Sequence, residues 1–160
     1  MEFTTADLCD AYPECVQLAQ PWFREYGAVT KFAGPIETLQ VFEDNALVRQ
    51  ALESEGRGRV LVVDGGGSLR CALVGGRLAS LAHTNGWAGV LINGCVRDSA
   101  ELNQVLIGIR ALNTTPRRSS KQGLGNIGGS VSFAGVAFTR RSFLYADSDG
   151  ILVADRDLLT

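Results

Sequence analysis

Two short segments of the 160-residue sequence hold residue types that can act on a small anion. The first is Gly75-Gly76-Arg77-Leu78. If it starts a helix, its backbone N–H groups have no partner within that helix and attract a carboxylate or a phosphate. The second is Arg97-Asp98. An arginine fork holds a carboxylate through two parallel hydrogen bonds. An aspartate at a helix start can hold a hard divalent cation through one oxygen, leaving the other positions to water and substrate. Together they could stabilise an enolate formed next to a carboxylate. The same residues also read as a pair of tight turns and as an N-cap aspartate beside a surface arginine. Spacing alone leaves both readings open.

A third glycine-rich segment, Asp64-Gly65-Gly66-Gly67-Ser68, follows an apolar run and is a further place where backbone amides could face a ligand. It has neither the GxGxxG nor the GxxxxGK[ST] pattern, so no nucleotide fingerprint is present. The remaining reactive residues suggest structural roles. His83, the only histidine, lies off the apolar stripe of its predicted helix. Lys31 sits in a predicted strand with nothing nearby to desolvate its amine. Cys9, Cys15, Cys71 and Cys95 form no CxxC pair, so no local zinc motif is expected, and a chain large enough for a core of its own is not expected to need a disulfide framework. Asp147, Asp149 and Asp155 bracket a turn at Gly150 and read as a hairpin turn first, with a metal or second-subunit role as the alternative.

The elements that would position these residues alternate along the middle of the chain. A helix capped at Thr4-Thr5 is expected to stop near Pro13. Residues 27–41 read as two strands broken at Gly34-Pro35. Asn45 reads as the cap of a helix over 46–54, whose Leu47, Val48, Ala51 and Leu52 share one face. The apolar runs 59–63 and 88–92 read as buried strands. Between them a helix is expected from about Ser68, loosening at Gly75-Gly76 and resuming through Asn85 to a stop at Gly86. A helix is expected over 98–104 and a strand over 105–112. Short strands are expected within 129–138, 142–146 and 150–154. In α/β sheets ligands bind outside the carboxyl ends of strands, which makes the junctions after Val63 and Ile92 the places of interest.

Composition narrows the classes. Apolar residues make up 46% and charged residues 20%, which fits an ordered domain rather than a disordered chain. With 15 Lys and Arg against 17 Asp and Glu, there is no basic excess for direct nucleic-acid binding. The longest basic run, Arg117 to Lys121, reads as a solvated loop. No apolar stretch approaches membrane-span length and no leader pattern is seen, so a cytoplasmic protein is expected.

Several segments carry a family resemblance over nearly the whole chain. They are TTADLCDAYPE (4–14), FAGPIETLQVFEDNALVRQALE (32–53), GRVLVVDGGGSLRCALVGGRLA (58–79), NGWAGVLINGCVRDSAEL (85–102), IGIRALNTTPRRSSKQGLG (107–125) and LYADSDGILV (144–153). The sequence resembles the RraA-like family, which holds regulators of ribonuclease E activity and divalent-metal-dependent aldolases for 4-hydroxy-4-methyl-2-oxoglutarate. The resemblance implies one α/β domain over 1–160, a β/β/α swivelling-like fold with extra strands at both ends, assembled as a homotrimer. It implies substrate binding by Gly75, Gly76, Arg77, Leu78 and Arg97, and a metal, Mg²⁺ or Mn²⁺, on Asp98. It implies retro-aldol cleavage of a small 2-oxo acid to pyruvate, and oxaloacetate decarboxylation through the same pyruvate enolate. The alternative it implies is a non-catalytic regulator that binds and inhibits ribonuclease E. One departure stands out. The aldolase pattern has an aspartate 21 positions before the arginine, and here that position is Gly76. A site short of one carboxylate is therefore expected. A methyltransferase reading lacks its glycine loop, since DGGGS does not have the GxGxG spacing.

Overall fold

The first helix, in a computed structural model that describes residues 2–160, is capped by its own sequence. Thr4 Oγ1 accepts from Asp7 N at 3.0 Å, and α1 (Thr5–Ala11) follows. Two short strands come next, β1 (Val16–Leu18) and β2 (Arg24–Tyr26), and then the long β3 (Phe32–Gln40). The central part runs α2 (Ala46–Glu53), β4 (Val60–Asp64), β5 (Ala72–Val74), α3 (Gly76–Thr84), β6 (Gly89–Val96), α4 (Ser99–Leu102) and β7 (Gly108–Thr114). The remainder is β8 (Asn126–Ile127), β9 (Val131–Phe133), β10 (Val136–Phe138), β11 (Phe143–Asp147) and β12 (Gly150–Ala154). The fold is mixed α/β, with strands added at both ends of the central α/β part.

β3, β4, β6 and β7 pair in parallel and form the middle of the sheet. β11, β12 and β1 extend it antiparallel beyond β3, and β2 closes the far edge against β7. β1 and β2 therefore lie at opposite ends of the strand order. Yet residues 19–23 alone join them, a reach of roughly 20 Å at full extension. Eight flat strands would hold their edges roughly 34 Å apart at 4.8 Å per strand. The sheet is therefore curled, and its two edges approach each other.

Alternation sorts the core onto the two faces of this sheet. In β4, Leu61 and Val63 pack toward Val48 and Leu52 of α2 and Leu78, Ala79 and Ala82 of α3. Val60 and Val62 point the other way, toward Phe32, Ile36, Leu144 and the β9–β10 hairpin. Both faces are covered, which is why β4 reads as an unbroken apolar run. A third cluster holds α1 against β11 and β12 through Phe3, Leu8, Tyr145 and Leu158.

Three expectations need correction. Gly34-Pro35 does not break β3. Residues 32–35 pair with β11 and residues 36–40 with β4, so the dipeptide sits where the strand changes partner. A Cβ at Gly34 would lie 2.1 Å from the Gly58 carbonyl oxygen, so glycine is required by close approach rather than by a turn. No helix follows Ser68. The segment instead forms β5, which takes up β4's place beside β6 where β4 ends. Asn45 makes no side-chain cap. Asp44 Oδ1 accepts from Ala46 N at 3.0 Å, while Asn45 Nδ2 donates to the Leu73 carbonyl. β1, β2 and β8 are additional strands.

Candidate functional site

Parallel pairing brings the two chemically interesting segments side by side. β5 ends at Val74 and β6 at Val96, in neighbouring register. Arg97 N donates to the Val74 carbonyl at 3.0 Å, which sets Arg97-Asp98 directly beside Gly75-Gly76. Asp98 Oδ2 then accepts from Gly76 N at 3.0 Å. The expected N-cap role of Asp98 is thus redirected. Its side chain does not cap α4, at whose start it stands, but serves the first turn of α3. A carboxylate there is favoured by the unpaired N–H groups and the helix dipole.

Two backbone features make this contact possible. Asp98 has φ +60°, ψ 43°, a left-handed conformation uncommon outside glycine but tolerated by aspartate. Gly75 has no side chain in the way. A Cβ on it would lie 2.7 Å from Asp98 Oδ2 and 3.3 Å from Arg97 Cγ. The N–H groups of Arg77 and Leu78, next along α3, fall within the first turn and have no partner inside the helix.

Gly76 reveals a residue the sequence reading missed. A Cβ on Gly76 would lie 1.4 Å from Glu101 Oε2 and 2.2 Å from Glu101 Cδ. The carboxylate of Glu101 therefore fills the space that a side chain at position 76 would take. The expected shortage of one acid is corrected: a second carboxylate reaches the site from α4. The signal was present in the sequence, since positions three apart share a helix face, and Glu101 is three residues beyond Asp98.

All six expected site residues line one open cleft of about 420 Å³, together with Glu101, Arg49, Arg118 and Lys121. Its charged lining is five cations (Arg49, Arg77, Arg97, Arg118, Lys121) and two carboxylates (Asp98, Glu101), a formal excess of +3. Arg49 stands 3.9 Å from Glu53. The other four cations form no ion pair with any carboxylate among the described residues. A cleft lined this way concentrates anions. Arg118 and Lys121, expected in a solvated loop, are indeed exposed, yet they form part of this lining.

The donor set suits a hard divalent ion held in part by water. Among the described residues no group of three or more His, Cys, Asp or Glu side chains could cage a metal. Mg²⁺ is commonly held by one or two carboxylates, with waters and substrate filling the remaining positions. Asp98 and Glu101 provide that much and no more.

The other candidates fall away from the cleft. The glycines at 65–67 do not line it. Gly65 N and Gly67 N donate to the Asn93 carbonyl of β6, and Gly66 N to Asp64 Oδ1, so all three amides are already paired. Lys31 Nζ donates to the Phe3 carbonyl and lies over the Phe3 ring. Cys71 and Cys95 are buried free thiols, and burial pushes both thiols above their ordinary pKa. Asp147 accepts from Thr5 N at 2.7 Å and Thr5 Oγ1 at 2.6 Å, pinning α1 to β11. No helix is long and apolar enough to cross a membrane.

A curled mixed sheet, with an anion-attracting cleft and a carboxylate pair at the ends of its parallel strands, defines the class of protein. Residues 5–153 match the profile of the RraA-like family, described as Aldolase/RraA. The chain belongs to that family. It is 53% identical, over 99% of both chains, to a Burkholderia mallei protein named "Putative 4-hydroxy-4-methyl-2-oxoglutarate aldolase". Among solved structures it resembles the RNA-processing inhibitor RraA from Thermus thermophilis, with 51% identity and a TM-score of 0.94 over 98% of this chain and 94% of that one. It also resembles a Geobacillus kaustophilus protein described as an S-adenosylmethionine:2-dimethylmenaquinone methyltransferase, with 49% identity and a TM-score of 0.96 over 98% of both.

Proposed function

We propose that this chain is a divalent-metal-dependent lyase that cleaves 4-hydroxy-4-methyl-2-oxoglutarate to two pyruvates and decarboxylates oxaloacetate. The observation that carries the reading is the meeting of Asp98, Glu101, Arg97 and the α3 N-terminus in one cation-rich cleft. The name of the Burkholderia relative points to the same substrate.

Asp98 would hold the ion, Mg²⁺ or Mn²⁺, with Glu101 facing its hydration sphere. When bound, the ion supplies an electrophile for the 2-oxo group. Arg97 places its guanidinium against the carboxylate and keto oxygen, where negative charge grows as the enolate forms. The free amides of Arg77 and Leu78 receive the substrate's C1 carboxylate. Among the described residues the Glu101 carboxylate makes no hydrogen bond that would compete for its lone pairs, and it would take the 4-hydroxyl proton through a water. As that proton leaves, the C3–C4 bond breaks. Its electron pair passes to the enolate of one pyruvate while the C4 fragment departs as the second. Protonation at C3 completes the first. In oxaloacetate the same bond electrons are released by loss of CO₂, and the same enolate is protonated. Assembly as a homotrimer in the cytoplasm belongs to this reading.

Pyruvate release from oxaloacetate, measured with Mg²⁺ or Mn²⁺ and with a chelator, tests the reading. Metal-dependent release that falls at least about tenfold in Asp98→Ala is expected. Release that ignores both the chelator and the substitution would overturn it.

A second reading has one observation in its favour, the 51% identity to the Thermus RNA-processing inhibitor. Under it the chain binds ribonuclease E and lowers its activity, which a ribonuclease assay with added protein measures directly. The methyltransferase description of the Geobacillus relative has no counterpart in the site. The glycine run after β4 leads through a turn into β5 rather than into a helix, so it does not form the strand–glycine loop–helix that cradles such a cofactor.

A further inference from the structure

The curl of the sheet leaves a second cavity, away from the cleft. It lies at the seam where the two edges approach, lined by the end of β1 and the connecting segment on one side, β2 and β7 on the other, and the β11–β12 turn. Its volume is about 370 Å³, and Leu18, Ala19, Phe23 and Ile151 make much of its wall apolar. Arg110, which also lines it, lies over the Phe32 ring, on the sheet face turned away from α2 and α3. Its partner in β6 is Leu91, roughly 16 Å of strand before Val96, where β6 reaches the cleft.

Arg110 places a charge in this apolar setting, and the chain only partly satisfies it. The residue is 3% exposed. Nη2 donates to the Thr30 carbonyl at 2.6 Å and to the Asp147 carbonyl at 3.4 Å, and Nη1 to the Ile109 carbonyl at 3.4 Å. Nε has no partner among the described residues. No fully buried side-chain nitrogen or oxygen of those residues lacks a partner, so the unpaired Nε opens on the cavity. Glu25 Oε1 stands 3.1 Å from Nη2 in an ion pair, but the Glu25 side chain is 47% exposed. Asp147 gives its carboxylate to Thr5 N, Thr5 Oγ1 and Asp149 N. Asp149 is exposed at the rim, where water and salt screen it. A buried guanidinium with unfilled N–H groups is costly, and a half-exposed ion pair is weak. Glu25 is therefore a loosely held carboxylate on a cation that a better-seated one could bind through Nε and Nη2 together.

We propose that the seam cavity is a second small-molecule site, one that takes a carboxylate with a short apolar body. The ligand's head replaces Glu25 on Arg110, and its body rests on Leu18, Ala19, Phe23 and Ile151. Glu25 acts as an internal competitor, which the ligand displaces through apolar contact that Glu25 does not make. The site takes no part in carbon–carbon cleavage and does not depend on the lyase reading.

Binding is read at Arg110 itself, by proton–nitrogen NMR titration of the isotope-labelled full chain. The Arg110 Nε–H signal is assigned from its proximity to the Phe32 ring protons. The probe is 4-methylpentanoate, with 4-methylpentanol and 4-methylpentylamine as neutral and cationic forms of the same skeleton. The carboxylate is expected to move the signal saturably, and the alcohol and amine to bind at least about tenfold more weakly. Glu25→Ala, a change at an exposed side chain, is expected to tighten carboxylate binding about fivefold or more by removing the competitor. Arg110→Gln, checked for folding by circular dichroism, is expected to abolish it. A signal that the carboxylate leaves unmoved in both wild type and Glu25→Ala would overturn the site, and so would tighter binding of the amine. Carboxylate binding that shifts only other arginines and ignores Glu25→Ala would be binding in the cleft, and would overturn it too. Failure of the lyase reading looks different: the Arg110 response would persist in a protein that releases no pyruvate from oxaloacetate.

Discussion

Asp98 is a residue whose bland and functional readings part on geometry. Its left-handed backbone turns the carboxylate away from its own helix and onto Gly76 N. A non-glycine residue held there is the type of outlier that clusters at functional sites. Arg97-Asp98 and Gly75-Gly76 were legible in the sequence because their residue types and places at strand ends announce them. Glu101 was not, because it lies outside both contiguous motifs and its carboxylate reaches the Gly76 side of the cleft from the first turn of α4. Position 76 turns this into a prediction. Glu101→Gln is expected to lower kcat for 4-hydroxy-4-methyl-2-oxoglutarate about 10–100-fold. Gly76→Asp alone places a side chain onto the Glu101 carboxylate and is expected to give no gain. Gly76→Asp combined with Glu101→Ala restores one acid to the same space and is expected to exceed Glu101→Ala alone. Steady-state kinetics of wild type and the four variants check this, and a rise in activity in Gly76→Asp by itself would be the contrary result.

The elements show where sequence reading succeeds and where it fails. Helices α2 and α3, and strands β4 and β6, were legible because their apolar periods are strong and both sheet faces are covered. β5 was not: three residues hold too little pattern, and its partners, Cys95 and Arg118, are distant in sequence. β3 was split for the opposite reason. Gly34-Pro35 has turn composition, but only the fold shows that the proline lies where one partner gives way to another. The segment 117–124 has almost no regular structure and depends on Asp44. Burial works to raise the Asp44 pKa, but backbone N–H groups of Ala46, Gln122, Gly123 and Leu124 outweigh it and hold the carboxyl below the usual aspartate range. Asp44→Ala orphans those donors and is expected to cost about 2–4 kcal/mol in urea unfolding. A loss under about 0.5 kcal/mol would show that the staple is dispensable.

Across the whole molecule, two buried aspartates tie distant segments together. Asp44 joins the start of α2 to residues 122–124, and Asp147 joins β11 to α1. For Asp147 too, burial opposes ionisation, but the Thr5 hydroxyl and the N–H groups of Thr5, Asp149 and Gly150 outweigh it and lower the pKa. Both folded pKa values lie below the unfolded value of about 3.9. Between those values the unfolded chain binds more protons, so this stability is complete above pH ~4 and is lost as pH falls through the folded values. Tyr145 works at the other extreme. Burial pushes it up to about 12, so its contribution is present below its ordinary value of ~10 and is lost as pH rises through about 12. Urea titrations are expected to show a plateau between about pH 5 and 9 with losses on both sides. Asp147→Asn should flatten the acid limb, and an unchanged limb would contradict the assignment. The curl of the sheet was not legible, because it follows from β1 and β2 taking opposite edges.

Whether the Asp98–Glu101 cleft performs metal-dependent carbon–carbon cleavage is directly measurable. The direct measurement is pyruvate formed from 4-hydroxy-4-methyl-2-oxoglutarate by wild type and Asp98→Ala, with and without Mg²⁺. The predicted result is two pyruvates per substrate consumed, dependent on Mg²⁺, and at least about tenfold slower in Asp98→Ala. Substrate left intact by the folded, Mg²⁺-supplied wild type would contradict it.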